Sequence, residues 1–257
     1  MNFWNYIGFW DILLIVMVSV QAVLIAYAYE PKWKALIYSM PVPFTFATLA
    51  LGKPVNATHA TGLFLLLGFT YAVWFLRCKL RVPIVVSIIG PAIGYCLAAG
   101  ILVPVIPKTT SVFCISGISV MLLGALLLKL IPFREELGYR SPMPLAVKLV
   151  FTFIVILIIV LLKNRLQGFM AVFPIVGVIA AYESRFSLWT FSRQTMVMML
   201  TLIPLMFTSK LIHPYFGLGI SLILGWIVYW VILIPLTQYM WSAERKILME
   251  NENGKLV

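Results

Sequence analysis

The side chains best suited to chemistry are scarce in this chain, and they are scattered. His59 and His213 are its two histidines, and Cys78, Cys96 and Cys114 its three cysteines. Neither set has the paired spacing with which such residues close on a metal ion. The acids are Asp11, Glu30, Glu135, Glu136, Glu183, Glu244, Glu250 and Glu252, and all fall at the ends of apolar runs, between them or in the C-terminal segment. No Gly-rich phosphate loop or nucleophile elbow occurs. A catalytic role, a metal and a cofactor are therefore not expected. What stands out is cationic: Arg185 and Arg193 near Glu183, Lys163 with Arg165, Lys32 with Lys34, and His59. Each borders a long apolar run, where a charge drawn into hydrocarbon costs about 2.5 to 3.5 kcal/mol on insertion scales. Such residues either snorkel to lipid headgroups or meet a ligand, and the ligand they suit is an anion.

The elements that must position these residues follow from composition. Of the 257 residues 63% are hydrophobic and 11% charged, and the mean hydropathy is +1.05. A water-soluble globule needs a more polar surface, so the chain reads as an integral membrane protein. Spanning takes about 20 mostly apolar residues, because every backbone polar group in the bilayer core must be paired within its own helix. That criterion predicts nine helices, at 12–29, 35–51, 61–76, 82–103, 111–131, 147–162, 168–182, 195–208 and 216–239. Runs such as "LVFTFIVILIIVLL" lack the alternation of a membrane β-barrel. The start "MNFWNYIGFWD" has no basic residue before its apolar run, so a cleaved signal peptide is not expected.

Basic residues in short loops stay on the cytoplasmic side. With nine spans, one face holds Lys53, Lys108, Lys163, Arg165 and Lys210, five in all. The other holds fourteen: Lys32, Lys34, Arg77, Lys79, Arg81, Lys129, Arg134, Arg140, Lys148, Arg185, Arg193, Arg245, Lys246 and Lys255. The expected protein lies in the plasma (inner) membrane with its N-terminus outside and its C-terminus cytoplasmic. The net charge of +11 then follows from topology, and no soluble surface remains for nucleic acid.

One phrase occurs twice. Sliding the chain by 133 residues pairs Pro41 with Pro174, Lys32 with Arg165, Ala35 with Gly168 and Ala47 with Ala180. A slide of 134 then brings "THAT" (58–61) onto "SRQT" (192–195), so that His59 matches Arg193. The chain divides into a four-helix repeat (1–108), a linking helix and cytoplasmic loop (109–143), a second four-helix repeat (144–240) and a cytoplasmic tail (241–257). An offset of five spans makes the two copies inverted, a recurrent plan of secondary transporters, with the working site near the midplane beside broken helices. Pro41, Pro43, Pro91, Pro174 and Pro204 fall inside spans, where each removes a backbone donor and frees a carbonyl. "GPAIG" (90–94) supplies the small-residue spacing for close helix approach.

The stretch 151–236, with "LLKNRLQGFMAVFPIVGVIAAYES", "FSRQTMVMMLTLIP" and "GLGISLILGWIVYWVIL", resembles the small four-span GlpM-like membrane proteins. That resemblance implies kinship with the drug/metabolite transporter superfamily and a link to exopolysaccharide production. The present chain departs from the four-span pattern by duplication. Small multidrug exporters, which the inverted plan also resembles, carry an embedded Glu in their first span. Gln21 is the one strongly polar side chain in the first span here. With no acid expected inside the bilayer, proton-coupled export of cations is disfavoured.

Two functions fit. One is a transporter or flippase for an anionic, lipid-linked substrate of the bacterial envelope. The other is a non-transporting structural subunit of an envelope polysaccharide machinery. Expected substrate contacts are Arg193, His59, Pro41, Pro174, Gln21 and Arg185, with Arg193 placed beside the Pro174 helix. Expected partners are membrane lipids, the anionic substrate, and either a second copy of the chain or an envelope-complex component.

Overall fold

Both faces of the first helix are apolar, which is the physical signature of the whole chain. In the computed structural model, which describes residues 8–253, helix α1 spans Phe9–Tyr27. Leu14, Val18 and Ile25 point into the protein, while Ile12, Val16, Val20 and Leu24 recur at every fourth residue on the exposed side. The same holds for α5 (Ile84–Val105), whose exposed stripe is Ile89, Ile93, Leu97 and Ile101. A helix apolar all round is stable only when hydrocarbon takes the place of water on its outer face. Among the described residues seven helices are long and apolar enough to cross a membrane, so the chain is an all-α, multi-pass membrane protein.

Several of the remaining elements are broken or bent. After α1 come α2 (Pro31–Ser39) and α3 (Val42–Leu51), which together make one apolar helix broken at Pro41. Helix α4 (Ala57–Trp74) runs into a π-helical turn, Phe75–Lys79. Then follow α5, α6 (Thr110–Leu130) and α7 (Leu145–Leu166). Helices α8 (Gly168–Val172) and α9 (Ile175–Glu183) form a second broken pair, split at Pro174.

The helical run α10 (Leu188–Asn253) turns at Gly217, whose φ of 75° and ψ of 176° lie outside helical values. Glycine alone adopts that geometry without a Cβ penalty. The limbs on either side fold back on one another, because Ser209 and Ser221 share a buried hydrogen bond of 3.1 Å. Further along, Arg193 Nη1 reaches Glu244 Oε1 at 2.9 Å. The segment expected as a tail from 241 continues the helix through Asn253, while Lys255 lies outside the described residues.

Ion pairs sort the charged side chains to two ends. Asp11 and Lys163 meet at 2.5 Å at one end. At the other, Lys148 meets Glu183 at 2.9 Å, and the Lys34 ammonium donates to the carbonyls of Glu183 and Tyr139 at 2.6 Å each. Asp11 and Glu183 are both buried, which corrects the expectation of a chain without buried acids. Hydropathy cannot show this, since an acid at a span end becomes buried only when another helix covers it. Removing one member of such a pair leaves an uncompensated buried charge, a loss on the order of 3 to 5 kcal/mol.

The fold-back at Gly217 yields a direct check. In a chain whose three native cysteines are replaced, Ser209→Cys with Ser221→Cys should form a disulfide. Fragments nicked near Gly217 should then stay joined until reduced, and fragments that separate without reductant would show a straight helix instead.

Candidate functional site

A proline inside an apolar helix leaves a carbonyl with no partner, and in hydrocarbon no water can supply one. Pro41 cannot donate to Ile37, nor Pro43 to Ser39. Ile37 O instead accepts from the Met40 N–H at 3.2 Å and from Gln21 Nε2 of α1 at 2.7 Å, while the Tyr229 hydroxyl of α10 donates to Ser39 O at 2.6 Å. Gln21 Nε2 also reaches Met40 O at 3.3 Å. Trp226 adds a bond from Nε1 to Thr45 Oγ1 at 2.7 Å, and the Thr45 hydroxyl in turn donates to Pro41 O at 2.8 Å.

The Pro174 break is handled in the same way. The Phe173 N–H turns to Met170 O, which frees Phe169 O, and the Tyr95 hydroxyl of α5 donates to it at 2.9 Å. Tyr95 and Tyr229 stand 134 residues apart, the offset of the sequence repeat. Tyr95 caps the break at Pro174, and Tyr229 the break at Pro41. The shared offset of the two tyrosines is visible in the sequence; the carbonyls they meet are visible only in the fold.

The two broken helices lie against each other. Helix α2 packs on α9 and α3 on α8, so the N-terminal piece of one meets the C-terminal piece of the other and they run antiparallel. Between the breaks, Tyr38, Pro41, Phe44, Pro174, Met198 and Leu202 line a cavity of about 30 Å³. The start of the second broken helix is held by Gly168. A Cβ there would strike His59 Nδ1 and Thr58 Oγ1, which is why the repeat carries glycine opposite Ala35.

A larger cavity of about 510 Å³ opens at the end that holds Glu183 and Lys34. Lys32, Arg134, Arg193 and Arg245 line it with Glu30, Glu135, Glu136 and Glu244. Much of this charge is mutually occupied. Glu30 pairs with Lys32 at 3.1 Å, and Arg134 stacks on Trp189 at 3.9 Å. The Glu136 carboxylate accepts from Trp189 N at 3.1 Å and Thr190 N at 2.7 Å, capping the start of α10 as an anion at a helix N-terminus should. Arg193 Nη1 is paired with Glu244, but Nε is buried without a partner.

The expected site residues therefore do not form one constellation. Pro41 and Pro174 meet at the crossing, and Gln21 sits beside it with its amide donor committed to the Pro41 break. Arg193 faces Glu244 and the charged cavity, not the Pro174 helix; Met198 and Leu202, farther along α10, occupy that place. The acid at 244 was assigned to the tail, so the pair was not foreseeable from spans alone. His59 is buried at the opposite end, with Asn56 N donating to Nδ1 at 3.2 Å, and its Nε2 has no partner. Arg185 stacks on Tyr139, Tyr182 and Phe186 and lines a separate cavity. Among the described residues no three His, Cys, Asp or Glu side chains are grouped to hold a metal.

No family model, curated protein or solved structure matches the chain.

Replacing the Tyr229 or Tyr95 hydroxyl with hydrogen, as Tyr229→Phe and Tyr95→Phe, leaves a buried carbonyl unpaired. Each change should lower stability by about 1 to 3 kcal/mol, read as a drop in unfolding temperature in detergent. The exposed Tyr239→Phe should leave it unchanged.

Proposed function

We propose that the chain is a transporter or flippase built from two inverted four-helix halves joined by α6. Counting the two limbs of α10 separately and the α8–α9 pair as one crossing gives nine crossings, with residues 1–108 and 144–240 as the halves. The observation that carries this reading is the reciprocal capping of two antiparallel broken helices by Tyr95 and Tyr229. Broken helices at the interface of inverted repeats are where transporters of this plan hold and release substrate.

The substrate we assign is an amphipathic anion. Its head would enter the charged cavity, where Arg193 offers an unpartnered Nε, while its apolar part stays in lipid. The basic excess on that face, taken as cytoplasmic, raises the local concentration of anions. The stretch 151–236, with its GlpM-like pattern, supports an envelope or exopolysaccharide setting and a bacterial inner membrane.

A second reading has one observation in its favour. The cavity of about 30 Å³ at the crossing is close to the share of space of a single water molecule, about 30 Å³, and cannot hold a substrate head. A non-transporting structural subunit of an envelope complex would need no more. For a transporter, this packing belongs to a state in which the crossing is shut and the 510 Å³ cavity is open to one face.

Reconstituted vesicles separate the two. With fluorescent polyprenyl phosphate and phospholipid probes, the native chain should accelerate movement of at least the anionic probe across the bilayer. Arg193→Ala should cut that rate about tenfold, as loss of a charge-assisted contact worth about 1.4 kcal/mol would. Arg193→Lys should recover part of it, and Lys255→Ala should match the native protein. No acceleration by the native chain would leave the structural-subunit reading standing.

A further inference from the structure

The loop between α4 and α5 is built at odds with its own residues. The π-helical turn Phe75–Lys79 closes with Leu80 N–H on Phe75 O at 3.2 Å and Val82 N–H on Leu76 O at 3.0 Å. The second bond spans six residues, so the residue before Val82 must be left-handed, a place that normally goes to glycine. Here it is Arg81, with φ at 56°. A π turn and a left-handed residue with a branched-off side chain are both uncommon, and both concentrate at functional sites.

Their joint effect is to gather cations. Arg77, Arg81 and Arg185 line one cavity of about 460 Å³ with Glu136, Phe186 and Leu188. The one carboxylate present is already committed to the Trp189 and Thr190 N–H groups. No salt bridge joins any of the three guanidinium groups to an acid among the described residues. Arg77 Nη1 is held by Val82 O at 3.3 Å, and Arg185 is fixed against the Tyr139 ring at 4.4 Å and donates to its hydroxyl. Partial burial, and then the Arg77 charge, lower the proton affinity of Arg185. Like charges oriented this way repel one another until an anion sits among them.

The surroundings indicate where that anion comes from. Phe75, Leu80 and Phe186 are exposed large apolar side chains around the cluster, so the cavity lies where headgroup and hydrocarbon meet. We propose that Arg77, Arg81 and Arg185 form a binding site for a phosphate group, supplied by the headgroup of an anionic lipid. Basic pockets beside helices at the cytoplasmic face take such headgroups, and the planar guanidinium fork matches phosphate oxygens. This site shares only Glu136 with the Arg193 cavity and does not depend on transport; it would hold lipid equally in a structural subunit.

Native mass spectrometry of the full chain in detergent reads the site directly. Phosphatidylglycerol and phosphatidylcholine are titrated separately, and inorganic phosphate is added as competitor. The native chain should retain at least one phosphatidylglycerol and lose it with rising salt, while phosphatidylcholine is not retained. Arg81→Gly suits the backbone at φ 56° and should unfold at the same or a higher temperature than the native chain, yet bind phosphatidylglycerol about tenfold more weakly, a loss typical of one charge-assisted bidentate contact. Arg77→Gln with Arg185→Gln should abolish the retained lipid, whereas Lys53→Gln on the opposite end should not. Displacement by millimolar phosphate would assign the site to the phosphate group alone, and resistance to it would assign the site to the whole lipid. Unchanged affinity in Arg81→Gly, or equal retention of the two lipids, overturns the proposal.

Discussion

A carbonyl in hydrocarbon must have a donor, and Pro41, Pro43 and Pro174 remove three of the donors a continuous helix would supply. An unpartnered buried backbone group costs about 1 to 3 kcal/mol, and several such losses would consume most of the 5 to 15 kcal/mol that separates a typical folded chain from its unfolded state. Local turns meet part of the deficit, with the Met40 N–H on Ile37 O and the Phe173 N–H on Met170 O, and side chains from other helices meet the rest. Gln21, Tyr229 and Tyr95 are those side chains. Each comes from a different helix, so the two breaks bind α1, α5 and α10 to the centre of the protein.

That requirement also explains why the polar residues in the interior are few and specific. Gln21 is buried in a helix otherwise lined by Leu14, Val18 and Ile25, and its amide has two carbonyls to serve. Ser192 and Thr195 donate to Thr70 O and Thr70 Oγ1 across the α4–α10 contact. The charged side chains are confined to the ends, where Asp11 with Lys163 and Glu183 with Lys148 are buried as pairs. A protein with its outer surface in lipid has no hydrophobic drive to pack helix on helix, so hydrogen bonds of this kind and close fit must do that work.

Much of this was legible in the sequence, and the reason differs from feature to feature. Apolar run length reveals the crossing helices because the bilayer sets it. The slide by 133 residues pairs Pro41 with Pro174, and the two prolines line one cavity. It does not reveal which side chain meets which. Gln21 is conspicuous as a polar exception, but whether its amide serves a ligand or a backbone carbonyl depends on the helix placed against it. Arg193 depends in the same way on Glu244, which sits on the far limb of a helical run reversed at Gly217. In the sequence Arg77 and Arg81 read as topological charge and Arg185 as a substrate contact; that the three meet is hidden, because left-handed backbone at an arginine has no signature in residue type.

The antiparallel crossing of the two broken helices is the claim on which the rest depends, and paired cysteines test it most directly. Gly177 approaches the Tyr38 ring, with 3.4 Å from a built Cβ to Tyr38 Cε2. In a background free of native cysteines, Tyr38→Cys with Gly177→Cys should cross-link on mild oxidation, and Lys34→Cys with Phe169→Cys should not. Linkage of the second pair without the first would mean that the broken helices run parallel, and the inverted arrangement of the halves would be wrong.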